Sequence, residues 1–468
     1  MKKIACLFLS CVMLLGLVAC GAGSSTPETT APQTATFMAG FGRADITPGD
    51  GVGMGGYSDN ETRLSKGALD PIYVTCIALS DGTETILAVT IDVIGIRDNL
   101  LINARNNLSA ASGVPFDKIF VGATHTHSAP AMSKNNDAEI AWWKDYEAAL
   151  RTAAEDAMKD LAPAKLQATT KVIDGMNFVR HYLMNDGTYY GSNFGSTDSG
   201  FKDHATKNDP QMVLVKLDRE EKKDILMVNW QAHPASVARE VDYNMISADF
   251  VGYMRVAMEQ QTGMHFAYFT GASGNQNKDS QIASEKHGLT SQKYGPKMAE
   301  YAIAALADLK DIEDTTIKSV TKQQIVQIDH SWDHMIDQAN EVYDLWKTEG
   351  KTAGDALGKT YGFTSSYQAR AIRDRKKMTL TGELTIGAFR LGPIGFTYGT
   401  YEMFSDHSNH VKENSPFEIT FLITGNSSYI PSSEAYDYRS YEADTGFYAQ
   451  GTGEQLAEEY VRLLNTLK

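Results

Sequence analysis

Three apolar runs of this sequence end in residues that can do chemistry. The run at 118–124 reads as a buried strand, and the chain continues directly as Thr124-His125-Thr126-His127-Ser128-Ala129-Pro130. Two histidines at i and i+2 in extended chain point to the same side, which suits one metal ligand and one neighbour facing a substrate. With 11 histidines in the chain, a His-x-His is about a one-in-four chance event, so the motif gains its weight from location. A strand end opening into a loop is where α/β proteins place their sites. A second run, 224–231, ends in Ala232-His233-Pro234. A lone histidine there would more often be structural, but pairing with the first strand end favours a shared site. The third run ends in a glycine-rich turn, 271–277 (GASGNQN), whose backbone can approach a ligand closely. Ser273 in that turn lacks the G-x-S-x-G spacing of a nucleophile elbow and reads as a turn residue.

The elements that must position these groups alternate. Residues 73–92 give two apolar runs around Asp81-Gly82, a hairpin signal. An amphipathic helix is expected from 98 to 112, closed by Gly113 and Pro115. Further strands are expected at 211–217, 224–230, 264–270, 380–389 and 417–423, and helices at 138–160, 248–261, 291–308, 334–348 and 453–466. This interleaving predicts an α/β fold, a mixed β-sheet sandwich flanked by helices, in a single large domain over 37–468.

Composition narrows the function classes. The 468 residues carry 43 Lys and Arg against 58 Asp and Glu, a formal charge of -15, so nucleic acid is not an expected partner. Hydrophobic residues at 42% and charged residues at 22% exclude bulk disorder and a coiled coil. Lys2 and Lys3 precede an apolar run from Ile4 to Val18, which reads as an export signal rather than a spanning helix. Its end, Leu17-Val18-Ala19-Cys20-Gly21, resembles the lipobox of bacterial lipoproteins. The expected organisation is a signal peptide at 1–19, a lipidated Cys20 with a solvated tether to 36, and the folded part beyond. The mature chain would keep only Cys20 and Cys76, too few for a disulfide framework. Membrane attachment is expected through the lipid alone, on the extracytoplasmic face of a bacterial cell envelope.

Taken together, THTHSAP, NFVRH (177–181), AHPAS (232–236), the GASGNQN turn, GTYEMF (399–404) and GNSSYIPSSEAYDYRSYE (425–442) resemble the neutral ceramidase family along nearly all of 37–468. The opening FGRADITP and MGGY (54–57) fit that family's N-terminal segment. The family's further immunoglobulin-like domain is not expected here, since the chain stops after the helix ending at Lys468.

The resemblance implies one zinc ion per chain, held by His125, His233, Glu402 and Tyr441. Two neutral imidazoles and a carboxylate make an ordinary hydrolytic zinc set, and a phenol can join because the metal favours its ionised form. It further implies that His127, Arg180 and Tyr429 face a scissile amide as proton carrier, carbonyl clamp and oxyanion donor. Asp92 is an expected carboxylate partner of a ligand histidine.

In one position the sequence departs from the family. Where neutral ceramidases carry a serine in a Gly-Asp-x-Ser-Pro-Asn turn, this chain has Asn277, which can hydrogen-bond a carbonyl or a water but cannot act as a base. Hydrolysis by a metal-activated water needs no protein nucleophile. The expectation is therefore a zinc-dependent amidohydrolase acting on an N-acyl sphingoid base or another N-acyl compound. The alternatives are a zinc hydrolase of a different amide or ester, and a non-catalytic ligand-binding lipoprotein that retains the metal pocket.

Overall fold

A computed structural model describes residues 36–57, 62–191, 195–425 and 428–468, which belong to one compact unit, Thr36–Lys468. The expected signal peptide, the lipidated Cys20 and the tether up to residue 35 lie outside the described residues.

Near-continuous apolar runs, buried on both faces, build the main sheet. Met38–Asp45 (β1), Tyr73–Ser80 (β2) and Thr85–Ile91 (β3) form an antiparallel meander, with the expected hairpin between β2 and β3. The chain then runs through Asp98–Ser112 (α1), ended by Gly113 at φ 75, into Ile119–Ala123 (β4). All five residues of β4 are buried, as a parallel strand covered on both faces must be, and it pairs in parallel with β3. Asp137–Lys159 (α2) leads to Ala162–Val172 (β5), Gln211–Arg219 (β6), Ile225–Trp230 (β7) and His265–Thr270 (β8). The spatial order is β8-β7-β6-β5-β1-β2-β3-β4, with the short strand Lys310–Ile312 added to β5 and with β7 and β8 parallel.

A second, four-stranded sheet follows from Ile317–Gln327 (β9), Thr381–Leu391 (β10), Ile394–Gly399 (β11) and Ile419–Thr424 (β12), the last two parallel. Side-chain parity separates the layers. Met212, Leu214, Leu226 and Val228 pack with Phe250–Thr262 (α3) and Ser291–Ala305 (α4), whereas Val213, Val215 and Met227 join Phe396, Phe421 and Ile423 between the sheets. Phe120 meets Phe389 there with ring centroids 4.6 Å apart, and Phe269 meets Phe421 at 5.5 Å. The far face of the second sheet, through Leu384, Ile386 and Ala388, is covered by Thr452–Thr466, so the order of layers is α/β/β/α. This is the mixed α/β sandwich that the sequence predicts.

Some elements were not expected. β5 and β9 are rich in Lys, Gln and Thr and only partly buried, so neither presents an apolar run. Between β9 and β10 stands a helical excursion with a small core of its own: Ile336–Glu349 (α5), the helix expected at 334–348, followed by Lys351–Thr360 (α6) and Ser366–Arg375 (α7), which were not expected. Helix α6 contains Gly354 and Gly358, residues that weaken a helix reading in sequence. They are buried, and Gly354 packs against the Trp346 side chain and backbone.

Helix α2 lies on β1 almost backbone to backbone. A Cβ added to Gly42 would stand 2.0 Å from the Ala153 carbonyl oxygen and 2.7 Å from the Ala157 nitrogen, so only glycine permits this approach. Gly42→Ala is expected to destabilise the fold by about 1–3 kcal/mol through overpacking, read as a lower urea midpoint. An unchanged midpoint would mean that α2 sits farther from the sheet.

Candidate metal centre

The three parallel pairs within the two large sheets end on the same side of the sandwich, and their carboxyl ends deliver the site. β4 releases His125 and His127, β7 releases His233, β8 runs into the 271–277 turn, and β11 and β12 lead to Glu402 and Tyr429. Polar stitches hold these ends together. Thr424 donates its hydroxyl to the Thr270 carbonyl at 3.0 Å, and Thr270 donates to the Thr124 carbonyl at 2.9 Å. Asn229 donates to both Phe269 and Leu422 carbonyls, at 2.9 and 2.8 Å, tying the two sheets just behind the site.

The turn after β8 fits flush against the Glu402 strand. Gly274 donates its N–H to the Met403 carbonyl at 2.9 Å, and a Cβ at Gly274 would lie 2.8 Å from the Glu402 carbonyl oxygen. His125 adopts φ 67, a left-handed conformation that a non-glycine residue occupies at a cost of about 1 kcal/mol. Such strain persists where the surroundings over-determine it, as they do for His125.

His125 Nδ1 faces the Ile94 carbonyl, and His233 Nδ1 faces the Ser273 carbonyl at 3.1 Å. A carbonyl can only accept, so each Nδ1 carries the proton and each Nε2 presents a lone pair. Those two Nε2 atoms lie 2.9 Å apart. His127 Nε2 stands 2.9 Å from His233 Nε2 and 3.3 Å from His125 Nε2, while its Nδ1 is buried without a partner among the described residues. Glu402 brings a buried Oε2 to 3.2 Å from His125 Nε2, and that oxygen receives no hydrogen bond. Facing lone pairs beside an unsolvated carboxylate repel unless positive charge lies among them. Three imidazoles and a carboxylate therefore fit a divalent cation. Burial, and then the repulsion that a protonated ring would meet from a protonated His125 and from Arg180, hold the His127 and His233 pKa values well below the usual histidine range, which keeps both rings in the neutral, ligating form.

The other expected residues surround this cluster in a cavity of about 1190 Å³. Tyr441 heads the short helix Tyr441–Thr445, with its ring 6.2 Å from that of Tyr429. It lines the cavity wall and is 46% exposed, and no bond joins it to the three imidazoles. His127, expected to face substrate, lines this cavity and also brings its Nε2 into the nitrogen cluster. Arg180 Nη2 lies 3.4 Å from the Tyr429 hydroxyl, and its Nη1 is 3.5 Å from Asn277 Oδ1. Ser273 lies in the turn as expected, buried, with its carbonyl rather than its hydroxyl in use. The expectation for Asp92 is corrected: its carboxylate pairs with Arg255 Nη2 at 2.8 and 2.7 Å and accepts from the Tyr73 N–H, and the ligand histidine is oriented by main chain.

Glu442 is the residue that the sequence reading missed. Its carboxylate is buried between Arg180, Nη2 to Oε1 at 2.6 Å, and His181, Nε2 to Oε2 at 2.8 Å. His181 Nδ1 continues to the Tyr438 hydroxyl at 2.8 Å. Burial alone would raise the Glu442 pKa, but His181 and Arg180 outweigh it and hold it at about 2, and for Arg180 the attraction of Glu442 likewise overcomes desolvation. The signal was present in the adjacency of Arg180 to His181 and of Tyr441 to Glu442, but a glutamate in a Tyr-rich segment carries no spacing rule.

His233→Ala is expected to lose bound metal, measured by elemental analysis of the purified protein. Full metal content in that variant would remove His233 from the ligand set.

The sequence profile described as neutral/alkaline non-lysosomal ceramidase, N-terminal, matches residues 37–366. Among solved structures, neutral ceramidase from Pseudomonas aeruginosa is 17% identical over 92% of this chain and 74% of that chain, with a TM-score of 0.67. A ceramidase complexed with C2 is 16% identical over 92% and 75%, with a TM-score of 0.64. At such identities the structures share the fold, and the profile match carries the family. The chain belongs to the neutral/alkaline non-lysosomal ceramidase family.

Proposed function

We propose that this chain is a zinc-dependent hydrolase that cleaves a linear amide, an N-acyl sphingosine or another N-acyl compound, into a carboxylate and an amine. The observation that carries the reading is the pair of carbonyl-locked imidazoles with Nε2 atoms 2.9 Å apart, beside a buried carboxylate oxygen that receives no hydrogen bond. One zinc ion held by His125, His233 and Glu402, with Tyr441 as the fourth ligand, would supply Lewis acidity and a water nucleophile usable near neutral pH.

The remaining groups have separable tasks. Burial and the charge of Glu402 keep the Tyr429 phenol protonated, so it can donate to the amide oxygen as negative charge develops there. Arg180, clamped by Glu442, stays charged and holds the acyl carbonyl or a neighbouring hydroxyl in place. His127 has an uncommitted Nδ1, and in this reading it passes a proton to the departing amine nitrogen. Asn277 stands where the family has serine and contributes an amide hydrogen bond only. That replacement also favours a second reading, a lipoprotein that captures N-acyl ligands without turning them over; a zinc hydrolase of a different amide or an ester is the neighbouring alternative.

We further propose that the domain is exported and tethered to the extracytoplasmic face of a bacterial envelope through lipidated Cys20. Lys2, Lys3, the apolar run and the Ala19-Cys20 junction support this.

Amide hydrolysis by the purified protein is expected to vanish with a strong chelator and to return with added zinc. Bound zinc without chelator-sensitive turnover of any amide or ester would leave the ligand-binding reading. For the anchor, Cys20→Ala is expected to shift the protein from the membrane fraction to the soluble fraction, and retention in the membrane would overturn it.

A further inference from the structure

The cavity around the metal centre is lined by cations out of keeping with an acidic chain. The protein carries 58 acidic residues against 43 basic ones. Yet the acidic groups that reach the wall are already engaged: Glu240 by Lys278 at 3.0 Å, Asp279 by His287 at 3.8 Å and Asp374 by Lys377 at 3.8 Å. Arg97, Arg239, Lys286 and Arg370 line the same wall with no carboxylate partner among the described residues.

Two of these are held in defined poses close to the chemistry. The Arg239 guanidinium lies 5.5 Å from the Tyr57 ring centroid, and the Tyr57 ring is 5.4 Å from that of His127. The Arg370 guanidinium lies 5.5 Å from the Tyr367 ring and 5.6 Å from that of Trp346, and Tyr367 is 6.0 Å from Tyr441. Arg239 also makes a side-chain hydrogen bond with Tyr57, and a guanidinium beside aromatic rings has further N–H groups for a planar or tetrahedral anion. The apolar part of the wall is chiefly aromatic, with Tyr57, Tyr367, Tyr429, Tyr441 and Phe447 among its rings, and Ile94 and Leu289 are the large aliphatic side chains among its described residues.

We propose that the substrate is anionic, an N-acyl compound whose amine part bears a carboxylate, sulfonate or phosphate, and that Arg239 and Arg370 are specificity residues for that group. The proposal rests on the hydrolase reading for its chemistry and on the cavity wall for its charge. Water adds across the amide carbonyl, the C–N bond breaks, the amine takes up the proton, and the anionic group leaves with the amine unchanged.

The test uses the zinc-loaded wild-type protein and four N-dodecanoyl amides of short amines: ethanolamine, glycine, taurine and phosphoethanolamine. The anionic members are expected to exceed the neutral ethanolamide in kcat/KM by ten-fold or more, a preference that shrinks with added salt. The ranking among carboxylate, sulfonate and phosphate identifies the head group. Arg239→Gln and Arg370→Gln, singly and together, are expected to lower the anionic-to-neutral ratio, by ten-fold or more in the double variant, with zinc content unchanged. Equal rates on neutral and anionic amides, or a ratio that survives the double variant, would overturn the proposal. If none of the four is hydrolysed, calorimetric titration of the same amides still decides this proposal, and the hydrolase reading is decided separately by the chelator experiment on other amides and esters. Tighter binding of the anionic members that is lost in the double variant sustains it, and equal binding sinks it.

Discussion

The site is governed by an electrostatic conflict between two neutral rings. Because main-chain carbonyls of Ile94 and Ser273 capture the Nδ1 protons, His125 and His233 have no freedom to resolve their 2.9 Å approach by donating to each other. A buried carboxylate with no donor adds to the same imbalance, and leaving such groups unsatisfied costs several kcal/mol. A cation turns every one of these repulsions into attraction. The strained φ of His125 belongs to the same logic, since the fold holds the ring in place before any ion arrives.

That constraint explains why the sandwich is stitched where it is. The ligands come from strands of two different sheets, so their mutual positions depend on the sheets not sliding. Asn229 supplies one cross-link and the Thr424–Thr270–Thr124 relay another, and both sit at the carboxyl ends of the parallel strands. Dispersion between phenylalanines fills the layer behind them but sets no register of this accuracy.

Much of this was legible in sequence because it obeys local rules. The strand ends carrying His125, His127 and His233 are short apolar runs followed by turn residues, and α1 has its C-terminal glycine where helix-stop chemistry places it. The polar strands β5 and β9 escaped because a half-solvated strand of Lys, Gln and Thr has no apolar signature. Glu442 escaped for a different reason. Its importance lies in what it meets, Arg180 and His181, far away along the chain, and no local pattern encodes that meeting. The role expected of Asp92 failed in the same way, since Arg255, which claims its carboxylate, lies on a different element.

The clamp between Arg180 and Glu442 spans 262 residues of sequence, and His125 meets Glu402 over a similar stretch. Contacts this remote form late, because the intervening chain must be ordered before they are rewarded. A growing polypeptide therefore displays bare histidines until the segment that carries Glu402 and Glu442 has emerged and folded back onto the first sheet. Whichever ion finally resides there is one present where and when those distant segments meet.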